Sequence, residues 1–148
     1  MAHTNEFSIE IGRPAAQIFP QLVAGERRMR WMAALKESKQ VTEGAPGLGT
    51  RFEDVFEDHG QRFEIEAEIV EYEPATRLAL DLVASAFESR VTQTLAEDDG
   101  TTLVTTRIET DYKSALARLM SGVVTGHAQK QLEEDMARLK ELVEAQGS

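Results

Sequence analysis

The 148-residue sequence contains no cysteine, which excludes disulfide bonds, thiol nucleophiles and thiolate metal ligands. It also contains no apolar run near the roughly 20 residues that cross a bilayer, so membrane insertion is not expected. Its N-terminus has neither the positive segment nor the apolar segment of a secretory signal. Together these absences lead us to expect a cytoplasmic protein.

Basic residues are scarce as well, since 16 Lys and Arg stand against 26 Asp and Glu and give a formal net charge of -10. A field of this sign repels phosphate backbones, so nucleic-acid binding is not expected. The composition, with 41% hydrophobic and 28% charged residues, is ordinary for a globular protein. We interpret residues 1–148 as a single domain, because the length suits one domain and no linker or repeat interrupts it.

Motifs that hold metals or nucleotides are missing too. No two histidines stand at ligand spacing, and Gly47-Leu48-Gly49 precedes a strand rather than a helix, so we expect no metal and no cofactor. Glu64, Glu66 and Glu68 share one face of a predicted strand, but they lie opposite Arg51 and beside other surface charges. We interpret these glutamates as a solvated face.

The first 35 residues predict one strand and two short helices. Phe7-Ser8-Ile9-Glu10-Ile11 alternates apolar and polar residues with period two, and Gly12-Arg13-Pro14 ends this strand. A weak helical pattern runs to Val23. Pro20 inside it predicts a kink, or a break into a second short helix that carries Trp31.

Period-two alternation then returns and predicts six more strands joined by short connections. Such short connections require antiparallel hairpins, whose paired residues must point to the same face. The predicted strands are 36–42, 49–57, 61–72, 76–83, 87–96 and 101–112. The predicted pairs are Phe56 with Phe63 and Asp54 with Ile65 around 59–60, Leu82 with Phe87 and Leu80 with Ser89 around 84–85, and Leu95 with Val104 and Val91 with Ile108 around 99–100.

Seven polar residues fall on the face that this alternation turns inward. Burying an unpaired polar group costs on the order of 1–3 kcal/mol, so seven of them imply a solvated cavity or a network of mutual hydrogen bonds. We favour a partly wet pocket. The alternative is that Glu71, Thr110 and Tyr112 reach water at strand ends, while Ser89 and Thr106 are small fillers. The seven are Asp54, Glu71, Ser89, Gln93, Thr106, Thr110 and Tyr112.

The C-terminal segment is helical but irregular. Its apolar residues form two stripes that are out of phase, and Gly122 and Gly126 lie where the phase changes. We predict a short amphipathic segment from Ser114 to Val124, followed by a long helix to about Ala145. The two glycines indicate either a movable gate or close packing against the sheet.

Five short segments accompany this order of elements: Gly12-Arg13-Pro14-Ala15, Trp31, Gly47-Leu48-Gly49-Thr50-Arg51-Phe52, Glu71-Tyr72-Glu73-Pro74-Ala75-Thr76-Arg77-Leu78 and Arg138-Leu139-Lys140. Order and segments together resemble the START-like, helix-grip superfamily called SRPBCC, and within it the polyketide cyclase/dehydrase group. The resemblance covers essentially the whole chain. It implies an α+β helix-grip fold, in which a seven-stranded antiparallel sheet curves around a long C-terminal helix and two short helices follow strand 1.

The resemblance also implies a deep hydrophobic cavity that holds lipids, polyketides or aromatic molecules. Members range from carriers to enzymes, and the superfamily has no universal catalytic motif to carry over. We expect residues 1–148 to form one START-like ligand-binding domain, a monomer or homodimer, with a small hydrophobic molecule between sheet and helix. The expected ligand-binding residues are Trp31, Phe52, Asp54, Phe56, Phe63, Ile65, Leu80, Ser89, Val91, Gln93, Thr106, Ile108, Thr110, Tyr112, Met120 and Leu132.

Three functions stay open at this point. The first is a carrier or sensor of a hydrophobic molecule, with Trp31 either capping the cavity mouth or anchoring the core. The second is a cyclase or dehydratase, in which burial disfavours the charged form of Asp54 and suits it to acid/base work beside Tyr112 or Gln93. Asp54 has the alternative of a structural hydrogen bond. The third is an interaction module like the chaperone activators of the same superfamily.

A Ser-His-Asp site has little support in the sequence. His3 is terminal, His59 lies in a hairpin turn, and only His127 could approach the cavity.

Overall fold

A computed structural model describes residues 3–58 and 60–146, and it describes their side chains except at residue 58 and at residues 117–127. Its seven strands form one antiparallel sheet in the order β1-β7-β6-β5-β4-β3-β2. The predicted α+β helix-grip fold is thereby confirmed. The elements are β1 His3–Ile11, α1 Ala15–Val23, α2 Gly25–Arg28, β2 Leu35–Gln40, β3 Arg51–Asp58, β4 Gln61–Glu73, β5 Arg77–Val83, β6 Phe87–Asp98, β7 Thr101–Tyr112 and α3 Ala115–Ala145.

The hairpin registers agree with the sequence in two of the three tested cases. Pairing of β3 with β4 and of β6 with β7 is as predicted, whereas β5 and β6 differ by two residues, so that Leu82 lies opposite Ser89. The turn lies one residue later than predicted, at residues 85–86, because the N–H of Ala84 donates to the carbonyl of Phe87 at 2.9 Å and pairs these two residues. A shift of two residues leaves every side chain on its predicted face.

Strand β4 contains one extra residue between Ile69 and Glu71, which changes the face of the residues after it. The prediction that Glu71 points inward is therefore wrong. Its carboxylate lies on the outer face and pairs with Arg77 at 3.2 Å. The same bulge turns Tyr72 inward, where its ring meets Phe19 edge-on at 5.5 Å between centroids.

The two short helices also differ from the sequence expectation. Of the two outcomes expected at Pro20, the break does not occur, because α1 runs from Ala15 to Val23 with Pro20 inside it. Helix α2 ends at Arg28, so Trp31 follows the second helix instead of belonging to it.

The C-terminal segment forms one helix of 31 residues, α3, where the sequence predicts a break. Glycine inside a helix costs about 1 kcal/mol relative to alanine but keeps its backbone hydrogen bonds, so Gly122 and Gly126 do not force an interruption. The side chains of the first predicted stripe lie largely outside the described residues. Among the described residues, no helix combines the length and the apolar character needed to cross a bilayer.

The packed core lies between the inner face of the sheet and the second half of α3. Met136, Leu139 and Val143 are fully buried on the helix, and Val104 and Leu78 are fully buried on the sheet. Burial of such side chains contributes about 1.5–3 kcal/mol each. This half of the concave face is therefore closed.

Helix α3 runs alongside β1 in the same direction. The side chain of Gln129 donates to the carbonyl of Glu6 at 3.1 Å, and the ammonium of Lys140 donates to the carbonyl of Glu10 at 2.8 Å. Further on, the carboxylate of Glu144 accepts the N–H of Gly12 at 2.7 Å. Since α3 follows β7 after two residues, its first turns begin at the end of the sheet where β7 finishes.

The Glu144 contact predicts a pH dependence of stability. The N–H of Gly12, and next the ammonium of Lys140, hold the pKa of Glu144 below its ordinary value of 4.5. A carboxyl whose pKa falls on folding stabilises the folded protein at pH values above its ordinary pKa of 4.5. This contribution is lost as the pH drops through the lowered pKa. We expect Glu144→Gln to destabilise the protein at about pH 7 and to have a smaller effect at about pH 3, as measured by urea unfolding.

Glu141, an exposed carboxylate on the same helix, supplies the matched control. Glu141→Gln should leave the free energy of unfolding unchanged at both pH values. If Glu144→Gln destabilised the protein equally at both, the effect would come from packing and the electrostatic account would be wrong.

Candidate ligand-binding site

The concave face is covered unevenly. Val91 and Ile108 lie opposite each other on β6 and β7 and are only half-buried, although Val104 on the same face of β7 is completely buried. Accessible space therefore reaches the inner face at the end where α3 begins. We call this space the inner hollow, and define it by Phe87, Ser89, Val91, Ile108, Thr110 and Tyr112.

A surface depression beside the inner hollow lies between two hairpins. Strand β5 ends at Val83, so the first residues of β4 extend beyond it and leave a gap beside β6. A depression of about 450 Å³ lies there, lined by Phe63, Phe87 and residues 84–86 among others. Phe63 is 36% exposed, and the rings of Phe87 and Tyr112 lie 6.3 Å apart. This depression is therefore partly aromatic, and Phe87 belongs both to it and to the inner hollow.

A polar row crosses the inner hollow. The hydroxyls of Ser89 and Thr110 share a hydrogen bond of 2.8 Å, and His3 on β1 lies directly opposite Thr110. Asn5, two residues further along β1, is 9% exposed and lies opposite Ile108. We define these four residues, His3, Asn5, Ser89 and Thr110, as the polar row.

Sequence reasoning missed His3 and Asn5, because it began the first strand at Phe7. The signal was present, since the same alternation extends back through both residues. Its terminal position argued against a role for His3, yet the register of β1 puts this residue on the inner face.

A second polar group lies on β6 and β7 between the inner hollow and the packed core. The side-chain amide of Gln93 donates to the hydroxyl of Thr106 at 3.4 Å, and this hydroxyl in turn donates to the sulfur of Met136 at 3.2 Å. Gln93 and Thr106 are 4% and 3% exposed. These two inward polar residues therefore belong to a mutual network instead of a wet pocket.

Asp54 is engaged in a buried ion pair. The guanidinium of Arg28 donates to both carboxylate oxygens, at 3.0 and 3.2 Å, and the hydroxyl of Ser38 donates to one of them at 2.5 Å. The side chains of Arg28 and Asp54 are 6% and 0% exposed. Arg28 also stacks over Phe52 at 5.2 Å.

This pairing differs from the acid/base role expected of Asp54 and agrees with its structural alternative. Both oxygens of this carboxylate are occupied by hydrogen-bond donors, whereas the expectation assumed an unpaired carboxyl among aromatic rings. Nothing in the sequence indicates Arg28 as the partner, since that contact depends on how α2 packs over β2 and β3.

The other expected site residues fall into three groups. Phe52, Ile65, Leu80 and Leu132 are buried in the core, while Phe56 is half-buried. Trp31 is 4% exposed and donates its indole N–H to the carbonyl of Gln21 at 2.9 Å, which is a core-anchor position. The side chains of Met120 and His127, and all of His59, lie outside the described residues.

The chain is similar to a known protein family over nearly all of its length. Residues 2–144 match the family described as polyketide cyclase/dehydrase and lipid transport. The chain belongs to this family. The resemblance stated from the sequence is thus confirmed over nearly its whole length. Among curated proteins, none matches the chain.

Several solved structures share the fold of this family member. The aromatase/cyclase ZhuI from Streptomyces sp. R1128 is 12% identical with a TM-score of 0.81, and the match spans 97% of this chain and 94% of that chain. A protein from Thermus thermophilus is 16% identical with a TM-score of 0.78, covering 99% and 100% of the two chains. A START superfamily protein from Mycobacterium smegmatis is 14% identical with a TM-score of 0.76, covering 95% and 99%. At these identities the likeness shows the fold alone.

The outer face of this family member is charged. Glu64, Glu66 and Glu68 are exposed there, and Glu68 lies opposite Arg51 as predicted. Within the described part of the chain, no group of three His, Asp or Glu side chains is arranged to hold a metal ion.

The packing of α2 over the ion pair leaves no room at Gly25. A Cβ there would meet the hydroxyl oxygen of Ser38 at 2.1 Å and its Cβ at 2.7 Å. We therefore expect Gly25→Ala to lower the free energy of unfolding by about 1–3 kcal/mol, as is usual for overpacking. Chemical denaturation measures this, and Ser38→Gly should restore part of the loss.

Gly47→Ala is the matched control, because nothing lies within 4 Å of a Cβ at that position. It should change the free energy of unfolding by well under about 1 kcal/mol. Equal effects of the two alanine substitutions would contradict the close packing of α2 on β2.

Proposed function

We propose that the chain binds a small hydrophobic molecule, such as a lipid, polyketide or aromatic compound, in the inner hollow, and that it acts as a carrier or sensor. In this proposal residues 1–148 form one ligand-binding domain. The observation that carries it is the pair Val91 and Ile108, which lie side by side on the concave face and are only partly buried. Covering apolar surface gains about 25 cal/mol per Å², so a ligand of matching shape would be held there.

Membership of the family is consistent with hydrophobic ligand binding. Binding without catalysis is favoured by the state of Asp54, whose oxygens are occupied by Arg28 and Ser38. The cyclase or dehydratase alternative loses its best acid/base candidate for that reason. What remains beside the inner hollow, among described residues, is the imidazole of His3 with a set of hydroxyl and amide groups, and these hydroxyl and amide groups suit recognition.

The proposal is tested by native mass spectrometry of the freshly purified protein, together with titration by the neutral fluorophore N-phenylnaphthylamine. We expect a co-purified molecule or saturable binding of the fluorophore. If the wild-type protein carried no molecule and also failed to bind the fluorophore, the proposal would be wrong.

A further inference from the structure

The tip of the hairpin between β5 and β6 lies between two spaces. Residues 84–87 line the surface depression, and Phe87 also lines the inner hollow. The N–H of Ala84 donates to the carbonyl of Phe87 at 2.9 Å and closes the turn. A molecule that moves from the depression into the inner hollow therefore passes this hairpin.

The hairpin tip is attached to the sheet on one side. Pairing of β4 with β5 ends at Glu66 and Val83, so residues 84–87 extend beyond it and border the gap beside β4. On the other side, pairing of β6 with β7 continues as far as Phe87 and Tyr112. The tip can therefore move relative to the depression without breaking a strand pair with β4.

Lys113 attaches the tip to the end of β7. Its backbone N–H donates to the carbonyl of Ala86 at 2.9 Å, and its ammonium donates to the carbonyl of Ala84 at 2.7 Å. The side chain thus reaches beyond the last ladder pair to the turn itself. We call these two hydrogen bonds the Lys113 latch.

Two aromatic rings lie directly behind the latch. Phe87 and Tyr112 are opposite each other on β6 and β7, and their ring centroids are 6.3 Å apart. Both side chains are partly buried. The latch therefore fixes the part of β6 that holds Phe87 against Tyr112.

We infer that the hairpin tip is a gate for the inner hollow and that the Lys113 latch keeps this gate closed. When the latch breaks, residues 84–87 separate from the end of β7, Phe87 leaves Tyr112, and the depression joins the inner hollow. This inference rests on the proposed function, because it concerns how a ligand reaches the same hollow. Lys113 has a positioning role here and makes no contact with the ligand.

Breaking the latch should speed ligand exchange in both directions. Lys113→Met keeps an unbranched side chain and removes the ammonium, and its exposed position makes loss of folding unexpected. The latch holds the gate closed in the free and in the bound protein, so its loss lowers both barriers. We expect the association and dissociation rate constants of N-phenylnaphthylamine to rise together by about three- to tenfold, with the dissociation constant unchanged within about twofold. Stopped-flow fluorescence measures both rate constants.

The chain contains a matched control at the far edge of the sheet. The ammonium of Lys36 on β2 donates to the carbonyl of Ala33 at 3.0 Å, which is a contact of the same kind. Lys36→Met should therefore leave both rate constants unchanged.

Amide hydrogen exchange tests the latch without any ligand. In Lys113→Met the N–H of Ala84 should exchange about three- to tenfold faster than in the wild type, because the hairpin opens more often. The N–H of Leu95, which donates to the carbonyl of Thr76 at 2.9 Å, should exchange as in the wild type.

The outcomes separate this inference from the proposed function. Unchanged rate constants in Lys113→Met, or a rise in dissociation alone, would overturn the gate and leave the hydrophobic site standing. Unchanged exchange at Ala84 would also overturn it, since Lys113 would then not hold the hairpin. If the wild-type protein failed to bind the fluorophore, the proposed function and the gate would both fail.

Discussion

Asp54→Ala is expected to lower the free energy of unfolding by about 3–5 kcal/mol. The substitution leaves the guanidinium of Arg28 buried without its counter-ion, at 6% side-chain exposure. Desolvation of an unpaired buried charge is the reason for so large a loss. Urea unfolding followed by circular dichroism measures it.

The matched control is an equivalent pair on the outer face. Arg90 donates to both oxygens of Asp81, at 2.6 and 2.9 Å, but those side chains are 50% and 40% exposed. Asp81→Ala should cost about 1 kcal/mol or less, because exposed ion pairs contribute little. Replacing both buried partners, as in Arg28→Met/Asp54→Leu, should recover most of the stability lost in Asp54→Ala. A loss for Asp54→Ala no larger than that for Asp81→Ala would show that the ion pair is not structural.

Ile108→Trp is expected to weaken binding of N-phenylnaphthylamine at least tenfold. The indole would occupy the inner hollow that we assign to the ligand, where Ile108 is partly exposed and packs against the core with the rest of its side chain. Because Ile108 is only partly buried, the free energy of unfolding should change by less than the roughly 1–3 kcal/mol that is typical of overpacking a filled core. A fluorescence titration and a denaturation curve on the same sample measure both quantities.

Leu103→Trp controls for adding a tryptophan to β7. Leu103 is 41% exposed and lies on the outer face. Its replacement should leave binding of the fluorophore unchanged. If Ile108→Trp bound the fluorophore as tightly as Leu103→Trp, the ligand site would not be in the inner hollow.

The strands could be predicted because their signals are local. Two local signals give the strand boundaries and the facing of side chains: the alternation of apolar and polar residues, and the turn residues between strands. For this reason Phe56 lies opposite Phe63 as expected. The predicted β5–β6 register is two residues off, since the turn lies one residue later than predicted and its position depends on backbone hydrogen bonds that composition does not reveal. The bulge before Glu71 was missed for a similar reason.

The candidate site was less predictable, because how the helices pack over the sheet decides which residues of its inner face stay exposed. Alternation places Leu80 and Val91 on the same inner face, yet Leu80 is buried and Val91 is left partly exposed. The partner of Asp54 likewise comes from α2, far along the chain, and no spacing rule identifies Arg28. Ser89 and Thr110 of the polar row were predicted as inward polar residues. His3 and Asn5 were not, because the predicted first strand began at Phe7.

The most direct test of ligand binding in the inner hollow is NMR of methyl-labelled protein with bound N-phenylnaphthylamine. We expect intermolecular nuclear Overhauser effects from the fluorophore to the methyl groups of Val91 and Ile108, and none to the buried methyl groups of Val104. Contacts confined to exposed methyl groups, such as those of Leu48 or Leu103, would contradict the account.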